Sequence, residues 1–82
     1  MMKIFYFGRL SERVGTNEET LTLPVGITSV RDLKDWLTTH KGLGETLYDP
    51  SVKTMVNQTL VHDDIIITGT EEIGFLPPVG GG

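Results

Sequence analysis

Few residues in this chain have the type and spacing for chemistry. His40 and His62 are its two imidazoles, and neither has a partner at a spacing that suggests a metal site. His40 stands at the end of a helical pattern, where an imidazolium suits the helix dipole, and His62 stands beside Asp63. Both read as structural or solvent residues. Asp63-Asp64 and Glu71-Glu72 are paired acids, but neighbours on a strand point to opposite faces, so solvated turns explain them better than an acid–base couple. Gly42 and Gly44 follow a helix instead of a strand, with no Lys-Ser/Thr after them, which argues against a phosphate loop. Ser11, Ser29 and Ser51 lack a nucleophile context. The absence of cysteine removes disulfides, thiolate ligands and a cysteine nucleophile together.

What remains is the stretch FLPPVGGG at residues 75–82. Three glycines in succession make the thinnest chain possible, able to thread a narrow channel beside another protein's backbone. Ordering such a segment costs roughly 1–2 kcal/mol per residue, incurred when it binds. Pro77 and Pro78 lower that cost and hold the segment extended. The reactive group is the α-carboxylate of Gly82. Free, it is ionised, with a pKa near ~3.5, and is a poor electrophile. Joined to AMP it becomes a mixed anhydride open to a sulfur or nitrogen nucleophile.

Charge placement agrees with a tail held away from its own domain. All seven Lys and Arg lie at or before Lys53, and four acids with no base follow from Thr54 onward, so the net charge of −4 belongs to the C-terminal third. Nucleic acid, which needs clustered bases for its phosphates, is a poor fit. A basic protein partner fits better, with association that weakens at high salt. Eighty-two residues form one domain, burying roughly 60% of the unfolded surface: one small core, without room for a deep private pocket. No run approaches the roughly 20 apolar residues of a membrane span. The opening MMKIFYFG has no basic region, long apolar core or cleavage site of a signal peptide, so a cytoplasmic setting is expected.

The elements that must position the tail follow from periodicity. KIFYF at 3–7 alternates, with Ile4 and Tyr6 on one face and Phe5 and Phe7 on the other. Both faces are apolar, so one must meet the core and the other something else. LSERVGTNEE reads as a polar connection to a second strand, TLTL at 20–23, which Pro24 and Gly26 stop. Thr28 or Ser29 caps the clearest helix, with Asp32 in its first turn. Val30, Leu33, Trp36 and Leu37 form its apolar stripe, and Arg31, Lys34 and Asp35 its wet side. ETLYDP reads as a single helical turn. The stretch 52–61 reads as a strand, a tight turn near Asn57-Gln58 and a return, another turn falls at Gly69-Thr70, and EIGFLPPV makes the last strand, fading into an extended proline segment. The order β-β-α-β-β-β predicts an α+β roll, a mixed sheet of four or five strands on one main helix.

KIFYFGRLSERVGT, VNQTLV and EEIGFLPPVGGG together resemble the β-grasp sulfur carriers, most closely the small subunits of molybdopterin synthase, the MoaD family. The resemblance covers the whole chain. It implies a ubiquitin-like β-grasp domain over 1–76 and an extended tail over 77–82. It also implies that a MoeB-like, ubiquitin-activating-like adenylyltransferase uses ATP to adenylate Gly82, which then becomes a thiocarboxylate. The carrier would dock on a MoaE-like large subunit and give sulfur to a cyclic pyranopterin monophosphate precursor of the molybdenum cofactor. Pro77, Pro78, Val79, Gly80 and Gly81 would thread the partner's pocket, while Phe7, Leu60 and Leu76 match the family's exposed docking patch. Ile4, Tyr6, Leu33 and Phe75 would be core. The chain itself would bind no metal or cofactor and would not be catalytic alone. Departures from the family pattern are Gly69-Thr70 for a common Asp-Gly turn, Leu76 for an aromatic, and Gly80 for a Ser or Thr. Other readings of the same tail are a thiazole-pathway sulfur carrier, a ubiquitin-like protein modifier, and a non-catalytic interaction module.

Overall fold

Alternation along the first strand organises the molecule. In the computed structural model, which describes residues 1–78, β1 (Met2–Tyr6) turns Met2, Ile4 and Tyr6 inward, all fully buried. Period-two geometry sends Phe5 to the other face, and Phe7 follows it just past the strand. β5 (Glu72–Leu76) runs parallel to β1, with Ile4 opposite Ile73 and Tyr6 opposite Phe75. β2 (Glu18–Leu21) flanks β1 and β3 (Lys53–Val56) flanks β5, both antiparallel. β4 (Thr59–Val61) pairs with β3 at the far edge, giving the order β2-β1-β5-β3-β4. The first and last strands, apolar on both faces, are therefore the central pair.

The main helix is α2 (Val30–Lys41). Ser29 caps it: its Oγ accepts the Asp32 N–H at 3.1 Å, and the Asp32 carboxylate reaches back to the N–H and hydroxyl of Thr28, a reciprocal arrangement that satisfies orphan donors of the first turn. Asp64 accepts another of them, the Arg31 N–H, at 2.9 Å. Gly42, at φ 63°, ends the helix with its N–H on the Thr38 carbonyl. Val30, Leu33 and Leu37 enter one core with Ile4, Tyr6, Ile73 and Phe75. Trp36, expected in the same stripe, is half-buried and stacks on His40, ring centroids 3.9 Å apart. Lys34, expected on the wet side, is also half-buried. Desolvation lowers its pKa, with Asp64 opposing and Arg31 adding to that shift.

One expected connection is an element. Residues 9–14 do not run as an irregular polar link but form α1 (Arg9–Val14), which buries Leu10 and ends at Gly15 with φ 97°. Leu10 and half-buried Val14, four apart, give it one inward stripe too narrow to stand out among Ser11, Glu12 and Arg13. The second strand also starts two residues earlier than its apolar letters suggest, because Glu18 and Glu19 pair with Phe5 and Ile4. Glu19 is held there by a polar chain: Tyr6 donates to its Oε1 at 2.9 Å, and Lys41 Nζ pairs with its Oε2 at 2.8 Å. This chain ties β1, β2 and the end of α2 together. Burial, then the hydrogen bond and charge of Glu19, raise the Tyr6 pKa well above the ordinary phenol value.

Candidate functional site: the open face of the sheet and the root of the tail

The helices cover one face of the sheet; the other carries an apolar row. Phe5 on β1 pairs with Gly74 on β5, Gly74 with Met55 on β3, and Met55 with Leu60 on β4. Period-two geometry puts all four on the face opposite Ile73 and Phe75. Phe7 leans over the same row: a Cβ built on Gly74 would lie 3.0 Å from Phe7 Cε2 and 3.4 Å from Met55 Cε. Phe7 remains 41% exposed and Leu60 49%. Leu76, two residues beyond Gly74 on the same face and opposite Lys53, is half-buried. Of the expected docking residues, Phe7 and Leu60 thus flank the Gly74–Met55 centre, and Leu76 marks its end towards the tail. Sequence reasoning placed Phe5 on this face but left Phe5, Met55 and Gly74 out of the site. The missed signal was Gly74 itself, since a glycine inside a strand often marks the close approach of another group.

Two local devices fix this face. Asn57 and Gln58, at φ 50° and 69°, form the β3–β4 turn; positive φ at both central residues matches the twist of a hairpin. Asn57 also donates its N–H to the Glu72 carbonyl at 2.8 Å and accepts the Glu72 N–H on Oδ1 at 3.0 Å. The turn is thereby tied to the first residue of β5, which explains an asparagine where glycine would satisfy the backbone alone. At the other end, Phe7 N–H donates to the Phe75 carbonyl at 3.1 Å, and half-buried Pro77 rests against Gly8. Gly8 has φ 54°, and a Cβ there would lie 3.0 Å from Pro77 Cγ. Glycine at this position satisfies both the backbone angle and the proline ring. Pro78 is exposed. Val79, Gly80, Gly81 and Gly82 lie outside the described residues.

Three of the remaining polar candidates, His40, Asp64 and Glu71, have structural partners. His40 Nδ1 lies 2.9 Å from the Trp36 carbonyl. Asp64 caps α2. Glu71, expected as a solvated turn acid, accepts the backbone N–H groups of Thr68, Gly69 and Thr70 at 2.9–3.1 Å and so closes its own turn. Burial pushes its pKa up, but these backbone hydrogen bonds outweigh burial and hold it below the ordinary value. No group of three His, Cys, Asp or Glu suited to a metal ion occurs among the described residues. The same residues include no helix long and apolar enough to cross a membrane.

The model of the ThiS family matches residues 4–82. The chain belongs to that family. The molybdopterin synthase sulfur carrier subunit of Escherichia coli (strain K12) is 31% identical over 83 residues, covering 100% of both chains. The subunit of the same name from Arabidopsis thaliana is 27% identical over 99% of this chain and 82% of its own. Among solved structures, SAMP1 from Haloferax volcanii superposes with a TM-score of 0.79 over 99% of this chain and 98% of its own; at 20% identity it speaks for the shared β-grasp fold. The five-stranded mixed sheet on one main helix is the ubiquitin-like architecture that the sequence led us to expect.

Proposed function

We propose that this ThiS-family protein is the sulfur carrier subunit of a molybdopterin synthase. The observation that carries the reading is the end-to-end match to the Escherichia coli subunit of that name. In this reading the Gly82 carboxylate attacks the α-phosphorus of ATP on an activating enzyme and pyrophosphate leaves. A sulfur nucleophile then displaces AMP from the acyl carbon, leaving a thiocarboxylate. Its sulfur attacks a carbon of a cyclic pyranopterin monophosphate precursor held by the large subunit and displaces an oxygen substituent; water then cleaves the thioester, returning the Gly82 carboxylate and leaving the sulfur on the precursor. Gly80 and Gly81 pass through the partner's channel, Pro77, Pro78 and Val79 span the distance from the domain, and Phe7, Leu60 and Leu76 dock. The chain binds no metal or cofactor of its own, ATP being a substrate of the activator. The division of labour suits the charge: an acidic carrier is poorly built to hold an anionic pterin phosphate, so the basic pocket belongs to the partner.

Three geometric features support the reading. The tail is rooted in the central strand, an uncovered apolar face lies beside that root, and Gly8 and Pro77 meet where the chain leaves the sheet. The test is intact-protein mass spectrometry after incubation with an activating adenylyltransferase, ATP and a sulfur donor. The expected product carries one sulfur in place of one oxygen at Gly82. Lysine conjugates without a thiocarboxylate would instead make the protein a modifier, and no mass change with an activator proven on another carrier would sink both.

A further inference from the structure

The open face is not a flat patch, and one of its concavities has a specific shape. Phe5 and Phe7 form one wall, their rings 25° from coplanar with centroids 6.2 Å apart. Met55 forms the other, Gly74 the floor, and Gln58 and Glu72 line the rim; the cleft measures about 250 Å³. Its depth depends on Gly74, where any side chain would press on the Phe7 ring and the Met55 methyl. The backbone does not require glycine there, since Gly74 is not among the residues at positive φ. A glycine inside a central strand weakens it, and here it lets the Phe7 ring and the Met55 methyl close onto its backbone and shape the base of the cleft. The rim is negative. Among the described residues the Glu72 carboxylate has no hydrogen-bond or ion-pair partner, although Lys3 stands opposite it in the ladder.

We infer that this cleft receives one large apolar side chain of the protein that takes the tail, flanked on that partner by a Lys or Arg that meets Glu72. The inference rests on the docking role proposed above for Phe7 and Leu60. A partner that draws in Gly82 must cover the end of β5, and Gly74 lies two residues back from that end, between the same docking residues. Anchors seated in desolvated sockets dominate interfaces of this kind, and a charge at the rim steers the approach.

The test uses the full chain and the large subunit of molybdopterin synthase, with affinity measured by calorimetry at low and high salt. Gly74→Ala should change Tm little, because its Cβ meets the partly exposed Phe7 ring, which can swing aside, yet weaken binding by about tenfold or more. Phe5→Ala, which widens the socket without touching the core, should also weaken binding. Glu72→Gln should cost a few-fold in affinity at low salt and little at high salt. Wild-type affinity in Gly74→Ala overturns the inference. If Leu60→Ala weakens binding while Gly74→Ala does not, the socket alone fails; if neither does, the docking reading falls with it. Self-association of the wild type that Gly74→Ala abolishes would give the socket to a second copy of this chain, and would equally overturn the inference.

Discussion

The two faces of β1 and β5 alternate along the same stretches of chain, yet they meet different surroundings. Inward, Ile4, Tyr6, Ile73 and Phe75 are sealed under the helices. Outward, Phe5, Phe7, Gly74 and Leu76 are as apolar in character, but only neighbouring side chains such as Phe7 and Met55 lean over the row. The inner face is jigsaw packing, where volume decides stability. The outer face keeps apolar surface available at a cost that a self-sufficient domain would avoid. Apolar letters alone therefore do not report burial; what reports it is whether the rest of the chain has anything left to place over them. Here α1, α2 and the stretch holding Leu43 and Leu47 all spend their buried residues on the inner core.

The comparison can be broken by separating activity from stability. Deleting Gly81 and Gly82 should abolish sulfur transfer completely while leaving Tm unchanged, as checked by a synthase assay beside thermal melting. A plain interaction module would keep its function. Next in size is a paired substitution across the sheet. Phe75→Ala on the inner face should cost about 3–5 kcal/mol in chemical denaturation. Phe7→Ala on the outer face should cost under ~1 kcal/mol but weaken the large-subunit complex.

How much of this was legible in the sequence differs between the faces. Ile4 and Tyr6 against Phe5 and Phe7 could be read from alternation, and the capped helix from Ser29, Asp32 and the Val30–Leu33–Leu37 spacing. The Asn57-Gln58 turn was legible from Asn57, a residue type that accepts positive φ, although Gln58 adopts it too. The short helix α1 was not, because Leu10 and Val14 give a single turn's worth of pattern. The socket at Gly74 was hidden for a different reason: it is defined by side chains from β1 and β3 that are far apart in sequence. The Tyr6–Glu19–Lys41 chain was hidden likewise, since its members come from three elements.

That chain sharpens the contrast, being the polar part of the inner face. Tyr6→Phe should cost about 1–2 kcal/mol by leaving the half-buried Glu19 short of a donor. The raised Tyr6 pKa also sets a sign. Stability is complete below the ordinary phenol value of 10.0 and falls as pH rises beyond it, where the unfolded chain ionises first; Tyr6→Phe should remove that alkaline loss. The smallest effect belongs to Glu71, outside both faces. Its folded pKa lies below the ordinary 4.5, so its contribution is present above that value and lost as pH falls through the folded one. Glu71→Gln should cost ~1 kcal/mol at neutral pH after allowance for solvent screening and should flatten the acid limb of the stability curve, as denaturation from pH 3 to 7 would show.

The central seating of β5, parallel to β1 and antiparallel to β3, also gives the molecule a mechanical character. A force applied to the tail along its own direction runs down the axis of β5 and loads the hydrogen bonds to both neighbouring strands in shear, all at once, instead of peeling them from an edge one at a time. The Asn57–Glu72 tie at the far end of the strand resists the same displacement. A partner can therefore grip and draw on the tail without unravelling the domain behind it: the protein is built as a handle whose rod passes through the middle of the grip.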